Sequence, residues 1–170
     1  MQQQSKFPFR PAPIISGGQG QMELHWVLKK FEELTPFELY NIMQLRNEVF
    51  VVEQNCVYQD ADNKDQKSFH FMGWDNTTLV AYTRIIPQGI SYTEASIGRV
   101  VSSPKYRGTG AGRTLMQLSI NNTFRLFNCK AIKIGAQLYL KKFYESLGFV
   151  QCSDQYLEDN IPHIEMILSK

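Results

Sequence analysis

A glycine-rich turn between a strand pattern and a helix pattern constrains this chain more than any other stretch. Residues 97–112 have the sequence IGRVVSSPKYRGTGAG. The β-branched apolar residues at its start favour a strand, and Pro104 prevents further ladder pairing. Three glycines then alternate with Thr109 and Ala111 directly before a helical pattern. The turn therefore leads into a helix N-terminus, where backbone N–H groups have no intrahelical partner.

This junction has the properties of a site for phosphate or pyrophosphate. Glycine lets a ligand approach the backbone with no Cβ atom in the way. The helix dipole adds partial positive charge to the free N–H groups, and Arg107 and Arg113 flank the turn with full charges. A Walker loop is excluded because no Gly-Lys pair is present. A Rossmann fingerprint is excluded because Arg113 stands where that motif needs a third small residue.

The composition bounds the classes of protein to which the chain can belong. Its 170 residues are 43% hydrophobic and 20% charged, as expected for one globular domain. A net charge of +2 is too small to indicate nucleic-acid binding. No apolar run approaches the ~20 residues of a membrane span. Three cysteines without CxxC or Cys/His spacing predict reduced thiols in a cytoplasm.

The order of local patterns predicts a mixed sheet with helices on both faces. Residues 1–21 lack periodicity, and we expect a flexible leader or tag remnant there. Residues 22–170 form the predicted single domain, with elements in the order β-α-β-β-β-α-β-α-β-β. Thr35, Pro36 and Glu38 form a capping box that should begin the first helix, and 68–75 and 78–87 should pair as a hairpin.

An acidic loop lies between the first helix and this hairpin. Residues 60–65, DADNKD, match part of a calcium-binding loop but lack the glycine of the sixth position and the glutamate of the twelfth. We therefore predict no metal site. We expect a solvated loop whose charge could attract cationic molecules.

The glycine turn and a second motif resemble the signatures of the GNAT superfamily of N-acetyltransferases, which use acetyl-coenzyme A (acetyl-CoA). The family pattern Q/R-x-x-G-x-G/A matches residues 107–112, and a Y-x-x-x-G-F run matches residues 144–149. Residues 45–54, the Asp-rich loop before His70 and residues 158–163 are similar to the ElaA-type branch. The resemblance implies an α/β fold whose mostly antiparallel sheet splays between strands 4 and 5.

The resemblance also implies acetyl transfer from acetyl-CoA to a primary amine by direct attack. The pyrophosphate would bind the backbone of the glycine turn, and the pantetheine arm would run along the preceding strand. There the N–H of Val101 would polarise the thioester carbonyl. Gln137 occupies a position, seven residues before the helix tyrosine, where many members carry Asn. The implied cofactor-binding residues are Val100, Val101, Ser102, Arg107, Gly108, Thr109, Gly110, Ala111, Gly112, Arg113 and Gln137.

Tyr144 is the implied general acid for the departing thiolate, with Tyr139 as the second candidate. A base should help an alkylamine, which is mostly protonated at neutral pH. Glu53 is the first candidate, because the apolar run before it could place it in a half-buried cleft and raise its pKa. Glu48, His70 and His163 are the alternatives.

The acceptor amine is not identified by any of these patterns. A non-catalytic acetyl-CoA sensor and an acetyltransferase for protein or peptide amines are the two alternative functions. The expected partners are acetyl-CoA and an amine, with no nucleic acid and no membrane, and a homodimer is left open.

Overall fold

The computed structural model describes residues 23–170, so the predicted leader at 1–21 lies outside the described residues. The described strands form one sheet in the order β1-β2-β3-β4-β5-β8-β6, with β7 paired to β8. The strands are β1 (His25–Lys30), β2 (Phe69–Asp75), β3 (Thr78–Ile86), β4 (Ala95–Ser102), β5 (Ala131–Gln137), β6 (Val150–Gln151), β7 (Tyr156–Glu158) and β8 (Ile161–Ser169). The α-helices are α1 (Pro36–Arg46), α2 (Ala111–Phe127) and α3 (Lys141–Glu145).

The predicted capping box begins α1. The Thr35 hydroxyl accepts from the Glu38 N–H at 3.1 Å, and the Glu38 carboxylate accepts from the Thr35 N–H at 2.8 Å. These reciprocal bonds satisfy two donors that the helix itself leaves unpaired. At its other end α1 continues directly into one π-helical segment, Asn47–Glu53, which carries the chain to the functional site.

Helices α1 and α2 cover opposite faces of the sheet. Met72 packs in one buried cluster with Ile42 and Leu45 of α1. Its neighbour Phe71 packs in another with Leu115 of α2. Successive side chains of a strand point to opposite faces, so the two helices lie on either side of β2 and β3. This arrangement and the antiparallel β2–β3 hairpin confirm the predicted mixed α/β fold.

The sheet opens between β4 and β5. These strands are parallel and pair only at Ala95–Ile132 and Ser96–Lys133. Beyond that point β4 continues to Ser102 and β5 to Gln137 without pairing to each other, while β3 and β8 hold their outer edges. The predicted splay between strands 4 and 5 is thus confirmed, and it leaves unpaired backbone along the inner edge of β4.

Two details near the C-terminus differ from the sequence prediction. The helix expected at 138–147 is a 3₁₀ turn, Leu138–Leu140, followed by the short α3. The strand β7 was not predicted, because three residues are too few to show the period-2 alternation that marks a strand. Its turn to β8 places Asp159 and Asn160 at positive φ, a conformation that Asn and Asp tolerate.

Candidate active site

A cleft of about 1220 Å³ occupies the gap between the diverging strands. The glycine turn, the inner edge of β4, the end of β5, α3 and the π-helical segment all contribute to its walls. Most of the predicted site residues line it, namely Val100, Val101, Ser102, Arg107, Gly108, Gly110, Ala111, Gly112, Arg113, Gln137, Tyr144, Glu53 and His163. Thr109 and His70 are not among the lining residues.

The glycine turn presents open backbone to the cleft. Gly108 and Gly110 have φ values of +78° and +87°, which glycine adopts without the steric cost that a Cβ atom brings. A Cβ atom at Gly108, Gly110 or Gly112 would meet no atom within 4 Å. Gly110 precedes α2 and provides no side-chain cap. The Ala111 N–H has only a long bond to Thr109 and the Arg113 N–H donates to the Gly110 carbonyl, so the Gly112 N–H is the helix amide most open to an anion.

The Thr109 side chain stabilises this turn but does not line the cleft. Its hydroxyl donates to the Tyr106 carbonyl at 2.7 Å, and the N–H of Ala111 donates to the same hydroxyl oxygen at 3.4 Å. The side chain therefore closes the turn on itself, which leaves the Thr109 backbone as the part that could contact a ligand.

The two arginines of the turn have different partners. Arg107 makes a two-point ion pair with Glu53, with N···O distances of 2.6 and 2.7 Å. Arg113 donates to the Ser146 hydroxyl at 2.8 Å. Both arginines line the cleft, so an anionic ligand at the glycine turn would lie beside two guanidinium groups.

The register of β4 decides which of its amides face the cleft. Ser103 donates its N–H to the Val80 carbonyl at 2.7 Å. Two residues earlier Val101 pairs with Tyr82. Hydrogen-bonded pairs recur every second residue, so the Val101 N–H is directed at β3 and the Ser102 N–H at the cleft. The predicted oxyanion role of the Val101 N–H is therefore wrong in this register, and Ser102 supplies the N–H on that side.

Tyr144 is buried in α3 with its ring against Phe143 and Phe149, at centroid distances of 5.2 and 6.0 Å. It also lines the cleft, and no group of residues 23–170 hydrogen-bonds its hydroxyl. Burial, with a smaller contribution from Tyr139, raises the pKa of Tyr144 above its ordinary value. The phenol is therefore a protonated donor at neutral pH. Tyr139, the second candidate, is largely exposed at the same cleft.

His163 is the predicted base that the geometry favours. Its Nδ1 lies 2.8 Å from the Ile161 carbonyl oxygen. A carbonyl can only accept, so Nδ1 carries the proton and Nε2 is left as an acceptor. Tyr156 stacks on the ring at 5.9 Å and holds its orientation. The side chain lines the cleft, and Nε2 is the ring nitrogen that the Ile161 carbonyl leaves free for a ligand.

The other predicted bases are placed differently. The expected rise in the pKa of Glu53 is wrong, because the hydrogen bonds from Arg107 lower it and the side chain is exposed. His70 is fully buried away from the cleft, with Nδ1 2.8 Å from the Tyr82 hydroxyl and Nε2 3.0 Å from the Asp65 carbonyl. Burial lowers the pKa of His70, so it is a neutral structural residue. Glu48 is exposed outside the cleft lining.

The acidic loop is not solvated, which corrects the sequence prediction. Asp60 and Asp65 are buried, and Asp60, Asp62 and Asp65 all form ion pairs with arginines. Their partners are Arg46 from α1, Arg84 from β3 and Arg99 from β4. Three carboxylates facing three guanidinium groups leave no net charge to attract a cation. A sequence signal existed, since Arg46 and Arg84 interrupt apolar patterns and a buried charge needs a partner.

The cleft also contains residues that the sequence did not single out. Gln54, directly after Glu53, exchanges side-chain hydrogen bonds with Gln137, at 3.1 and 3.5 Å. Tyr92 and Glu158 line the far side. Gln54 and Glu158 lie in stretches that resemble the ElaA-type branch, but no pattern assigned either of them, or Tyr92, to the site.

Membrane spans and metal clusters are both absent from the part of the chain that the structure describes. In residues 23–170 no helix is both long enough and apolar enough to cross a membrane. The same residues contain no group of three or more His, Cys, Asp or Glu side chains placed to hold a metal ion.

Known proteins resemble this chain along most of its length. Residues 36–170 match the family model described as an acetyltransferase (GNAT) domain. The protein ElaA of Escherichia coli is 41% identical over 145 residues, which cover 84% of this chain and 95% of that protein. A protein of Schizosaccharomyces pombe is 44% identical over 147 residues, which cover 85% and 97% of the two chains.

Solved structures show the same fold. A crystal structure of an acyl-CoA N-acyltransferase from Pseudomonas aeruginosa superimposes with a TM-score of 0.82 at 41% identity, covering 86% of this chain and all of that one. The E. coli ElaA structure gives the same TM-score and coverage at 39% identity. An aminoglycoside 6'-N-acetyltransferase complexed with coenzyme A shares the fold at 17% identity and a TM-score of 0.64, covering 84% and 96%.

Proposed function

Because this chain belongs to the acetyltransferase (GNAT) family and is a homologue of ElaA, we propose that it transfers an acetyl group from acetyl-CoA to a primary amine. The family makes it an N-acyltransferase with an acyl-CoA donor. The choice of acetyl and of a primary amine is the proposal. The observation that carries it is one cleft with the open glycine turn, the Ser102 N–H and the Tyr144 side chain on its walls.

The glycine turn and the β4 edge are the proposed contacts of the cofactor. Backbone N–H groups of residues 107–112 and the α2 N-terminus would bind the pyrophosphate, with Arg107 and Arg113 beside it. The unpaired inner edge of β4 at 100–102 would bind the pantetheine arm as an added strand would. Gln137, at the opposite wall, offers an amide that already bonds Gln54. The Ser102 N–H is the donor for the thioester carbonyl oxygen.

The proposed chemistry needs one proton acceptor and one proton donor. The amine nitrogen attacks the carbonyl carbon, the N–C bond forms, and His163 Nε2 takes the proton that the nitrogen loses. The C–S bond breaks, and the Tyr144 hydroxyl gives its proton to the departing sulfur. Burial raises the pKa of Tyr144, but the same burial also disfavours a thiolate. Solvent at the cleft then returns a proton to Tyr144 and removes one from His163.

A screen of donors and acceptors tests the proposal. Acetyl-CoA, propionyl-CoA and a longer acyl-CoA are each incubated with small amines, polyamines, amino acids and lysine peptides, and thiol release is followed. We expect release above background with acetyl-CoA and at least one amine. Preference for peptides would make this a protein-amine acetyltransferase. Tight coenzyme A binding with no thiol release from any pair would instead support a non-catalytic sensor.

A further inference from the structure

Asp60 joins two arginines that come from different parts of the fold. Its carboxylate accepts from Arg46 Nε and from Arg99 Nε, both at 2.7 Å, and from the Tyr58 hydroxyl at 2.8 Å. Its backbone carbonyl accepts from the Nη2 atoms of both arginines at 3.1 Å. Asp60 is 4% exposed and Arg46 is fully buried. Asp60 therefore contacts Arg99 through both its carboxylate and its backbone carbonyl, and links Arg99 to Arg46 of α1.

Arg99 occupies an unusual position in β4. Its φ is +51°, which is sterically disfavoured for a residue with a Cβ atom. It lies where the β3–β4 register shifts, between the pairs Arg84–Gly98 and Tyr82–Val101. One extra residue in β4 at this point is a β-bulge. The contacts with Asp60 hold the Arg99 side chain in place while its backbone adopts the left-handed conformation.

The bulge decides which amide of β4 faces the cleft. The Val80 carbonyl accepts from the Ser103 N–H. Because the direction of the backbone groups alternates along a strand, the N–H and C=O of Tyr82 also point at β4, whereas those of Ala81 point at β2. With the bulge Val101 lies opposite Tyr82. Without the extra residue the register before the bulge would continue and Val101 would lie opposite Ala81. Because a one-residue shift reverses every direction in the strand, the Ser102 N–H would then turn away from the cleft.

We propose that Asp60 is a positioning residue for acyl transfer, which holds the Arg99 bulge and so keeps the Ser102 N–H directed into the cleft. This inference rests on the proposed function. Asp60 itself is not a cleft-lining residue, so it acts through Arg99 and the backbone of β4. The glycine turn lies after the bulge, but its shape is held by its own contacts, the Thr109 hydroxyl on the Tyr106 carbonyl and the start of α2.

A rescue experiment separates positioning from simple stabilisation. Asp60→Ala removes the carboxylate that holds the Arg99 side chain, while the φ of Arg99 stays disfavoured. The bulge should then be lost in part and the Ser102 N–H misplaced, so kcat should fall about tenfold or more. The dissociation constant for coenzyme A should change by less than about threefold, since the glycine turn is separate. Arg99→Gly added to Asp60→Ala should recover several-fold in kcat, because glycine adopts positive φ freely. The melting temperature need not recover.

Two single substitutions at Arg99 test the same proposal if Asp60→Ala does not fold. Arg99→Lys keeps the charge and the disfavoured φ but loses the two-point contact, whereas Arg99→Gly removes the side chain and the conformational cost. We expect the glycine variant to retain the higher kcat. The reverse order, or losses in kcat that match those of the capping-box variant Thr35→Ala at equal melting temperature, would overturn the proposal.

Amide hydrogen exchange gives a readout that is independent of turnover. In the wild-type protein without ligand the Val101 amide should be protected and the Ser102 amide should exchange rapidly. This contrast should shrink in Arg99→Lys and persist in Arg99→Gly. An unchanged contrast in every variant would refute the positioning role. A wild-type protein with the expected exchange pattern but no acyl transfer would refute the proposed function. The stabilisation of the Arg99 bulge by Asp60 would still be supported.

Discussion

Tyr144 shows how one residue can serve both the core and the chemistry. Its ring packs between Phe143 and Phe149, while its hydroxyl reaches the cleft wall without a partner in residues 23–170. Within residues 23–170 the buried side-chain polar atom without a partner is Arg84 Nε, so the Tyr144 hydroxyl is accessible from the cleft, where a substrate can complete its hydrogen bond.

Replacement of Tyr144 by phenylalanine keeps the ring packing and removes only the proton donor. Steady-state kinetics should show turnover reduced about tenfold or more, in the range of general acid catalysis. The affinity for coenzyme A, measured by calorimetry, should be nearly unchanged, because the ligand phosphates lie at the glycine turn. Equal turnover in the two proteins would remove Tyr144 from the proposed role.

Gly110 tests the turn itself. Gly110→Val should abolish coenzyme A binding, since valine places methyl groups where the phosphates approach and is strained at φ +87°. Gly89 is a matched control, because its φ is +79°, a Cβ atom there would meet no atom within 4 Å, and it does not line the cleft. Gly89→Val should bind coenzyme A normally. Normal binding by Gly110→Val would contradict the proposed site.

At the scale of elements, the π-helical segment after α1 joins the two walls of the cleft. Glu53 bonds Arg107 of the glycine turn, and the adjacent Gln54 bonds Gln137 at the end of β5. One short segment thus spans strands that the sheet leaves unpaired. Glu53, at the end of this segment, is paired with the guanidinium group of Arg107. The proposed pyrophosphate would compete with Glu53 for that group.

Glu53→Gln should therefore strengthen coenzyme A binding. An exposed ion pair contributes roughly 0.2–1 kcal/mol, so its loss should increase the affinity by at most about fivefold at low salt. Glu48→Gln makes the same change of charge in the same segment without a hydrogen bond to Arg107, and should have a smaller effect. Weaker binding by Glu53→Gln alone would mean that the pair instead helps to build the cofactor site.

The elements that the sequence predicted well are those with a local signal. The Thr35 capping box, the β2–β3 hairpin and the glycine turn each follow from residues adjacent in the chain. The Ser102 amide direction could not be predicted, because it depends on where the register shifts at Arg99, and Gly98 beside it marks a bulge only in general. For the burial of Asp60 and Asp65 the only signal was that Arg46 and Arg84 interrupt apolar patterns, and it did not identify the pairs, since the arginine partners come from three separate elements.

At the scale of the whole molecule, the buried charges make stability depend on pH. Burial lowers the pKa of His70, so the folded protein resists a proton that an unfolded histidine binds below about pH 6.5. For Asp65, burial opposes ionisation, but the charges of Arg46 and Arg84 outweigh it and lower the pKa. Both groups give stability that is present above the unfolded pKa and is lost as the pH falls.

The free energy of unfolding should accordingly fall as the pH drops through about 6.5 because of His70, and again below about pH 4 because of Asp62 and Asp65. Denaturant titrations of His70→Gln should show a flatter slope in the upper range, since glutamine cannot take up the proton. His25→Gln, at an exposed histidine, is the control. An unchanged slope in His70→Gln would show that another group causes the upper transition.

The cleft between β4 and β5 brings the proposed functional groups together, because the glycine turn, the Ser102 amide, His163 and Tyr144 all border it. The most direct test of N-acyl transfer is to quantify free coenzyme A thiol and acylated amine in the same reaction by mass spectrometry. We expect equal amounts of both products with at least one amine. Thiol release without an acylated amine, or neither product from a protein that binds coenzyme A, would contradict N-acyl transfer.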